Sequence, residues 1–338
     1  MSSYIGIEIG GTKLQLVLGD KTGKILQRRQ LEVEPASGAE GIRGQIRQTL
    51  PELMRLGQVQ AIGVGFGGPV DWKTGKICRS HQIEGWSEFD LGSWLRQLAG
   101  LPVVVDNDAN VGALGEAGHG AGLGFDPVFY ITLGSGVGGG LVREGQIYHG
   151  AAPGESEIGH VRLDRQGTIV EARCSGWAVD ARIRALNGQA PNGVLARLAG
   201  GRKGGEARHL AAALEQGDAA AQQILRDTAD DLAFALSHVV HLCHPQIIVM
   251  GGGLSRVGEP LRAAVAGALS RFIMEVFMPG PRLVLAALGE DAVPTGALTL
   301  AKGEGRGARV EELERATNLE PHRGPEAGDG SQARLPHD

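Results

Sequence analysis

A short apolar strand, a glycine-rich turn and a returning strand occur twice in this chain, and this repeat constrains the fold more than any other feature. In the first copy, residues 4–9 predict the strand, residues 10–13 (Gly-Gly-Thr-Lys) the turn and residues 14–18 the return. Residues 25–33 predict a third strand, which completes a meander.

The second copy begins at residue 128. Residues 128–133 predict its strand, residues 134–140 hold the longest glycine cluster, and residues 141–142 predict the return. Residues 218–243 carry apolar residues in steps of three and four, which predict one long helix, and residues 247–250 predict a buried strand after it. The repeated pattern indicates an approximate internal duplication. The stripe expected to be buried on the helix consists of Leu225, Ala229, Leu232, Leu236, Val239 and Cys243.

Alternating strands and helices connect the two copies and indicate the fold class. Apolar residues at helical spacing predict a helix over residues 38–56, and short apolar runs predict strands over residues 61–66 and 101–105. A chain of 338 residues is long enough for two domains of about 150 residues each. We therefore expect an α/β fold with two domains.

Composition excludes several classes of protein. Lys and Arg number 33 and Asp and Glu 38, a net charge of −5 that does not support nucleic-acid binding. No run of 18 apolar residues exists, so we expect no transmembrane helix and no membrane partner. The three cysteines are far apart and no signal-peptide pattern is present, which predicts a cytoplasmic location. We expect residues 302–338 to be a disordered tail, because they contain only four Val, Ile, Leu, Met or Phe residues.

The two glycine turns are the first candidate ligand sites. Glycine permits a close approach of ligand to backbone, and free amide N–H groups suit phosphate oxygens. The turn at residues 10–13 lacks the spacing of a P-loop, so a plain hairpin turn is an equal alternative. The cluster at residues 134–140 precedes a predicted strand rather than a helix, which argues against dinucleotide binding and favours a hairpin that holds a phosphate.

Polar residues after the strand at 101–105 are candidates for catalysis. Asp106, Asn107 and Asp108 follow it, and ligands in open α/β sheets lie outside the carboxyl ends of the strands. A carboxylate there can act as a general base on a hydroxyl, and an amide can hold another hydroxyl. Because Asp and Asn also cap helices, we interpret Asp106 as a helix cap, whereas for Asp108 spacing supports the cap and the base equally.

A second polar cluster lies at residues 154–160, where glycines flank Glu157 and His160 and leave room for a ligand. His160 lacks the cysteine partners of a zinc site, since the nearest cysteine, Cys174, stands alone. Two phosphate-type turns, a carboxylate at a strand end and this Glu/His cluster suit the ATP- and Mg²⁺-dependent phosphorylation of a polyol. In that reaction one carboxylate accepts the hydroxyl proton.

In order and spacing these motifs resemble the ROK (repressor, open reading frame, kinase) family of bacterial sugar kinases, in its glucokinase-like branch, from about Tyr4 to Ala301. The resemblance implies an actin-like ATPase fold with two duplicated, ribonuclease-H-like domains. It implies an N-terminal domain of residues 1–112 plus about 286–301 and a larger C-terminal domain of residues 113–285. It also implies a homodimer that uses ATP and Mg²⁺, with the metal held through ATP.

The resemblance assigns the phosphate and nucleotide contacts to three segments. Glu8 stands where the family usually has Asp, next to the metal and the phosphates, and its extra methylene moves the carboxylate that would approach Mg²⁺. The implied contacts are Glu8, Gly10, Gly11, Thr12 and Lys13 in the first segment, Thr132, Gly134, Ser135, Gly136 and Gly138 in the second, and Gly251, Gly252 and Gly253 in the third.

The resemblance also implies a sugar site. Asp108 matches the catalytic base of the family's Asn-Asp-Ala-Asn motif, and Gln82 stands where a sugar-contacting Asn is common. Only ten residues separate His160 from Glu171, so the family's cysteine-rich zinc loop is shortened and we expect no zinc site. The implied sugar contacts are Gly67, Asn107, Asp108, Glu157, His160 and Glu171.

The expected reaction is transfer of phosphate from ATP to the 6-hydroxyl of a hexose, with glucose first and fructose, N-acetylmannosamine or allose as alternatives. Polyphosphate as donor and a non-catalytic sugar sensor are further alternatives, although a sensor would not need Asp108 as a base. The first phosphate motif begins at residue 5, so we expect no N-terminal helix-turn-helix domain. Because the sugar residues come from both domains, we expect the cleft to close on the sugar, with hinges at the glycines of residues 63–68 and 118–124.

Overall fold

Two five-stranded sheets form the core of the protein. The computed structural model describes residues 2–80, 83–151, 154, 156–189, 192–201 and 203–303. The strands are β1 (Ser2–Ile9), β2 (Lys13–Asp20), β3 (Ile25–Glu32), β4 (Gln58–Phe66), β5 (Val70–Asp71), β6 (Lys76–Ile77), β7 (Val103–Asn107), β8 (Val128–Leu133), β9 (Val137–Arg143), β10 (Gln146–Ile147), β11 (Ile247–Gly251) and β12 (Arg282–Leu285). The helices are α1 (Gly38–Met54), α2 (Leu91–Ala99), α3 (Asp108–His119), α4 (Val170–Cys174), α5 (Gly176–Gln189), α6 (Val194–Ala199), α7 (Leu210–Glu215), α8 (Ala219–Cys243), α9 (Glu259–Leu269) and α10 (292–303).

The two sheets share one topology. Each consists of a three-stranded antiparallel meander followed by two parallel strands, in the order β3-β2-β1-β4-β7 in the first sheet and β10-β9-β8-β11-β12 in the second. The strand β1 pairs antiparallel with β2 and parallel with β4, as β8 does with β9 and β11. The predicted α/β class and the internal duplication are therefore confirmed.

The first sheet has two different faces, because side chains alternate along a strand. The isoleucines of β1 point to one face, where they are buried with α1 and α2 in a single apolar core. Gly6 and Glu8 of β1 lie on the opposite face, paired with Gly63 and Gly65 of β4. This opposite face, the glycine face, is flat near its centre, and the carboxylate of Glu8 projects from it.

Helix α10 packs on the glycine face. A Cβ atom at Gly63 would overlap the carbonyl oxygen of Ala297, and one at Gly65 would lie 2.5 Å from the side chain of Val293. Glycine at both positions therefore lets α10 lie directly on β4. Since both residues are buried inside a strand, their position favours a packing role over the hinge that the sequence suggests for residues 63–68.

Helix α3 lies between the two sheets. A Cβ atom at Gly140 of β9 would lie 2.7 Å from the Cβ of Ala113, and one at Gly115 would overlap the carbonyl oxygen of Ala292 in α10. Gly140 therefore lets α3 lie close to the second sheet, and Gly115 lets it lie close to α10, which covers the first. The helix begins at Asp108, so the candidate base lies where the two sheets meet.

Two predicted features differ from the structure in detail. The strand β9 begins at Val137, so the last three glycines of the cluster lie within it and the turn is limited to residues 134–136. The long helix is confirmed as α8, with Asp218 as its N-cap, which accepts a hydrogen bond from the N–H of Ala221 at 2.8 Å. Cys243 is exposed, which corrects its place in the buried stripe, because α8 extends past the core at that end.

The division into domains stays a prediction. A boundary at residue 112 falls inside α3, whereas the packing of α10 on the first sheet agrees with assigning residues 286–301 to the N-terminal domain. Most of the predicted tail, from residue 304 to residue 338, lies outside the described residues. In the part of the chain that the structure describes, no helix is both long and apolar enough to cross a membrane.

Candidate active site

A cleft between the two sheets holds two adjoining cavities. The larger, of about 790 Å³, is lined by residues at the ends of β1 and β11 and in the turn after β8. The smaller, of about 490 Å³, is lined by residues that follow β4, by the start of α3 and by the turn after β8. Asp108, Thr132 and Gly134 line both cavities. Two ligands, one in each cavity, would therefore meet at Asp108.

The larger cavity contains most of the predicted phosphate residues. Gly10 and Gly11 belong to the adjoining turn, where the N–H of Gly10 donates to the carbonyl oxygen of Lys13 at 2.9 Å. This hydrogen bond closes the turn, and the phosphate contact of Gly10 stays a prediction. The predicted residues that line the cavity are Glu8, Thr12, Lys13, Thr132, Gly134, Gly251, Gly252 and Gly253.

The backbone of Gly251–Gly253 forms one wall of the larger cavity. Gly252 has a φ of +82°, and a Cβ atom there would lie 2.5 Å from the backbone nitrogen of Leu133. A Cβ atom at Gly251 would overlap the hydroxyl of Tyr130. The segment therefore lies directly against β8, and only glycine permits that approach.

The carboxylate of Glu8 lies in the larger cavity beside a cation. Its Oε2 accepts a hydrogen bond from Nε2 of Gln15 at 2.8 Å and lies 3.4 Å from Nζ of Lys13. Burial nevertheless raises the pKa of the Glu8 carboxyl above its usual value. Mg²⁺ takes oxygen ligands, commonly one or two carboxylates together with substrate phosphates. Because Glu8 lines this cavity near Thr12 and Lys13, its carboxylate fits a Mg²⁺ ion that binds together with a nucleotide.

The smaller cavity, here named the sugar cavity, brings together the predicted sugar residues from both sheets. The turn after β8 contributes Ser135 and Gly136 to its wall, and β9 contributes Gly138. Gln82, the departure from the family pattern, lies outside the described residues. The predicted sugar residues that line the cavity are Gly67, Asn107, Asp108, Glu157, His160 and Glu171.

Asn107 caps helix α3. Its Oδ1 accepts hydrogen bonds from the N–H groups of Ala109 at 2.8 Å and Asn110 at 3.3 Å. Its Nδ2 donates to the carbonyl oxygen of Gly68 at 3.1 Å. Asn107 therefore fixes the start of the helix to the turn after β4, in addition to lining the sugar cavity.

Because Asn107 is the N-cap of α3, neither Asp106 nor Asp108 caps the helix. The interpretation of Asp106 as the helix cap is wrong, because its carboxylate instead bonds Nε2 of His149 at 2.6 Å. Asp108 is the first residue of α3, not its cap, and lines both cavities. Of the two interpretations of Asp108, the general base therefore remains.

The environment of Asp108 raises the pKa of its carboxyl to about 7. Burial is the largest cause, and the negative charges of Glu8 and Glu157 add to it, while the N–H of Ala109 opposes it. A general base is most effective when its pKa lies near the working pH. The cleft therefore gives this carboxylate the proton affinity that a base needs at neutral pH.

The pH dependence of turnover tests the raised pKa of Asp108. Only the deprotonated carboxylate accepts a proton, so kcat/KM for the sugar is expected to rise with pH and level off above about 7. Below that value it should fall about tenfold per pH unit. A carboxyl with the usual pKa of about 4 would instead give a flat profile between about pH 5 and 8. A flat profile would contradict the assignment.

Glu171 is tied to the turn after β8. Its Oε2 accepts a hydrogen bond from the N–H of Val137 at 2.9 Å. Its carboxylate therefore holds the turn in place while it lines the sugar cavity. Glu157 and His160 are exposed at a short helical turn that packs beside β9 and lines the same cavity. Among the described residues no three His, Cys, Asp or Glu side chains converge as metal ligands, and the absence of zinc stays a prediction.

Several residues of the cleft were missed by sequence reasoning. Arg256 and Glu290 form an ion pair at the larger cavity, and Trp177 lines the smaller one. Burial raises the pKa of the Tyr130 hydroxyl, which lines the larger cavity in its protonated form. Of these residues, only Arg256 could have been found from the sequence, because it is a basic residue shortly after the carboxyl end of a strand, where ligands bind.

The duplicated sheets and the cleft between them define an actin-like ATPase built for phosphoryl transfer, and comparisons agree. The ROK family model matches residues 4–304. The chain is 31% identical to the glucokinase of Thermotoga maritima, over 88% of this chain and 96% of the relative. It is also 31% identical to the glucokinase of Streptomyces coelicolor, over 89% and 98%.

A solved structure supports the same relationship. The ROK family glucokinase from Streptomyces griseus, in complex with glucose and AMPPNP, has a TM-score of 0.79 and 32% identity to this chain. The match covers 89% of this chain and 99% of that one. This chain belongs to the ROK family, and within it to the sugar kinases.

Proposed function

We propose that this protein is a glucokinase, which transfers the γ-phosphoryl group of ATP to the 6-hydroxyl of glucose. The observation that carries the proposal is Asp108, whose carboxyl has a pKa raised to about 7 and lies at the boundary of two adjoining cavities. The relatives named glucokinase support glucose as the acceptor. The solved complex with AMPPNP supports ATP as the donor.

The sugar cavity orients the attacking hydroxyl. Asn107, Glu157 and His160 line that cavity with groups that hydrogen-bond sugar hydroxyls, and they direct the 6-hydroxyl towards Asp108. The Asp108 carboxylate accepts the hydroxyl proton as the oxygen attacks the γ-phosphorus. The oxygen–phosphorus bond to the sugar forms as the bond to ADP breaks, and the proton remains on Asp108.

The larger cavity holds the donor. Thr12 and Lys13 present a hydroxyl and an ammonium group to the phosphates, and the backbone of Gly251–Gly253 leaves room for the nucleoside. Glu8 would hold Mg²⁺ together with the ATP phosphates, and the ion supplies positive charge to those phosphates when bound. Because the sugar residues come from both sheets, sugar contacts are complete only in a closed cleft, and closure excludes water from the reaction.

The test is ADP release, measured in a coupled assay with glucose, fructose, N-acetylmannosamine and allose, and with ATP or polyphosphate as donor. Glucose with ATP and Mg²⁺ is expected to give the highest kcat/KM. The Asp108→Asn variant, purified in the same way, shows whether the release comes from this site or from a contaminating kinase.

Other outcomes of this assay assign other functions. A higher kcat/KM with another sugar, or with polyphosphate, would overturn the assignment of glucose or of ATP. Sugar binding in calorimetry without release of ADP from any pair would identify a non-catalytic sugar sensor.

We also propose that the enzyme acts in the cytoplasm as a homodimer. An exposed apolar patch at the end of α8 supports a subunit interface, because patches of this kind mark association surfaces. The ring of His244 stacks on Phe277 at 4.1 Å, which brings the end of α8 against the segment at residues 274–278. The exposed apolar residues of the patch are Leu242, Met274, Val276 and Met278.

A further inference from the structure

His149 joins the two sheets behind the sugar cavity. It follows β10 at the edge of the second sheet, yet its ring contacts two residues that belong with the first. Nε2 lies 2.6 Å from Oδ2 of Asp106, and the ring stacks on Trp72 at 4.2 Å with 11° between the planes. The side chain of Asp106 is 2% exposed and that of His149 15%. All three residues line a separate cavity of about 660 Å³ next to β7 and β10.

Through its hydrogen bond to Asp106, His149 is connected to residues on both sides of the predicted base, Asp108. Oδ1 of Asp106 accepts hydrogen bonds from the N–H of Asn107 at 2.7 Å and from Nδ2 of Asn110 at 3.1 Å. These two asparagines flank Asp108 in the chain. A carboxylate only accepts hydrogen bonds, so the bond from His149 uses a proton on Nε2. His149 therefore orients the Asp106 carboxylate, which holds Asn107 and Asn110 on either side of Asp108.

Through its stack on Trp72, His149 is also connected to the turn at residues 67–69, a second wall of the sugar cavity. Trp72 follows the turn at residues 67–69, which lines that cavity. Its own turn is held by Asp71, which accepts hydrogen bonds from the N–H of Lys73 at 3.1 Å and the hydroxyl of Thr74 at 3.0 Å. Hydrogen bonds therefore hold the turn that carries the Trp72 indole. The contact of the indole with His149 fixes the distance between the two sheets next to the sugar cavity.

The third connection runs through the chain of His149 itself. The segment that follows it leads to Ser156, Glu157 and His160, the wall of the sugar cavity that belongs to the second sheet. Gly154 is buried against the carbonyl group of His149, where a Cβ atom would overlap the carbonyl oxygen. Gly154 therefore contacts His149 two residues before Ser156, which lines the site.

We infer that His149 is a positioning residue for phosphoryl transfer, which ties together three of the segments that line the sugar cavity. It lines neither the sugar cavity nor the larger cavity, and it acts on Asp108 through Asp106. This inference rests on the proposed kinase function. Small displacements of a reacting group cost large factors in rate, so the expected signature is a loss of kcat rather than a loss of nucleotide affinity.

Matched substitutions at His149 separate the hydrogen bond from the ring stack. His149→Phe keeps a flat ring on Trp72 and removes the N–H, whereas His149→Gln places an amide N–H close to the position of Nε2. We expect His149→Phe to lower kcat by about 10–100-fold, with the KM for ATP unchanged within about twofold. We expect His149→Gln to recover kcat to within about threefold of the wild type.

Two further variants complete the experiment. His149→Asn keeps an amide that is too short to reach Asp106, and it is expected to be as slow as His149→Phe; it replaces that variant in the test if the Phe variant does not fold. His238→Phe makes the same chemical change in α8, away from both cavities, where Nδ1 lies 2.9 Å from the carbonyl oxygen of Phe234. This control is expected to keep kcat within about twofold of the wild type.

The outcomes distinguish the inference from the function on which it rests. A wild-type enzyme that phosphorylates a different sugar overturns the proposed function only, and the same variants are then compared with that sugar. Wild-type kcat in His149→Phe, equal losses in His149→Gln and His149→Asn, or a KM for ATP that rises in parallel with the loss of kcat would overturn the positioning role.

Discussion

Replacement of Asp108 by Asn is expected to lower kcat by at least about 10²–10⁴-fold, the contribution that a general base typically makes. Asn has nearly the same shape, so the sugar and the nucleotide still bind, but its amide cannot accept the hydroxyl proton. The measurement is kcat with saturating sugar and ATP at a pH above the raised pKa of Asp108. A variant that keeps more than half of the wild-type kcat would show that another group is the base.

Thermal unfolding provides the control for this variant, and the sign of the expected change follows from the pKa. The pKa of Asp108 is about 7 in the folded protein and about 4 in an unfolded chain, so the folded state binds the proton more tightly. The free energy of unfolding of the wild type therefore falls as the pH rises from about 4 to about 7, and the loss is complete above about 7.

Asp108→Asn lacks this ionisation. Its Tm should therefore equal or exceed that of the wild type at about pH 8, with the difference in its favour shrinking as the pH is lowered towards about 4. If the Tm of the variant were several degrees below that of the wild type at about pH 8, damage to the fold would explain the loss of kcat.

The second large effect is expected in the glycine face of the first sheet. Gly63→Ala places a Cβ atom where the carbonyl oxygen of Ala297 lies, and a backbone atom cannot move without shifting α10. We expect the free energy of unfolding to fall by about 1–3 kcal/mol or more, as for other overpacked positions. Urea denaturation followed by circular dichroism measures the change.

Gly44→Ala is the matched control, because it makes the same chemical change in an uncrowded place. Gly44 lies inside α1, and a Cβ atom there would have no heavy atom within 4 Å. Since alanine is favoured over glycine within a helix, this variant should be more stable by about 0.5–1 kcal/mol. If both substitutions changed stability in the same direction by similar amounts, the packing role of Gly63 would be wrong.

The hairpins that begin both sheets could be predicted from the sequence because their signals are local. Apolar runs that end in glycine clusters at residues 10–13 and 134–140 mark both hairpins, and the long apolar stripe marks α8. The alternation of strands and helices indicates the α/β class. The strand order, the parallel pairing of β1 with β4 and of β8 with β11, and the short strands β10 and β12 depend on contacts between distant parts of the chain and were not predicted.

The roles of the glycines and of the polar residues before α3 could not be predicted in the same way. The sequence places Gly63 in a predicted hinge and Gly140 in a predicted phosphate-binding cluster, but each is required by a helix that is distant in the chain. Asp106 and Asn107 are both good helix caps by residue type. The choice between them depends on His149, whose position is known only once the two sheets are assembled.

The position of α10 makes the first sheet depend on a late stage of protein synthesis. The strands of that sheet are complete at Asn107, whereas the helix that covers β4 begins at residue 292. At the usual rate of about 5–20 residues per second, a ribosome needs about 10–40 s to make the intervening chain. During that interval the sheet that carries Glu8 has one face incompletely covered. The half of the enzyme that leaves the ribosome first is therefore the half that finishes folding last, and a nascent chain that stops before residue 292 exposes that face to chaperones and proteases.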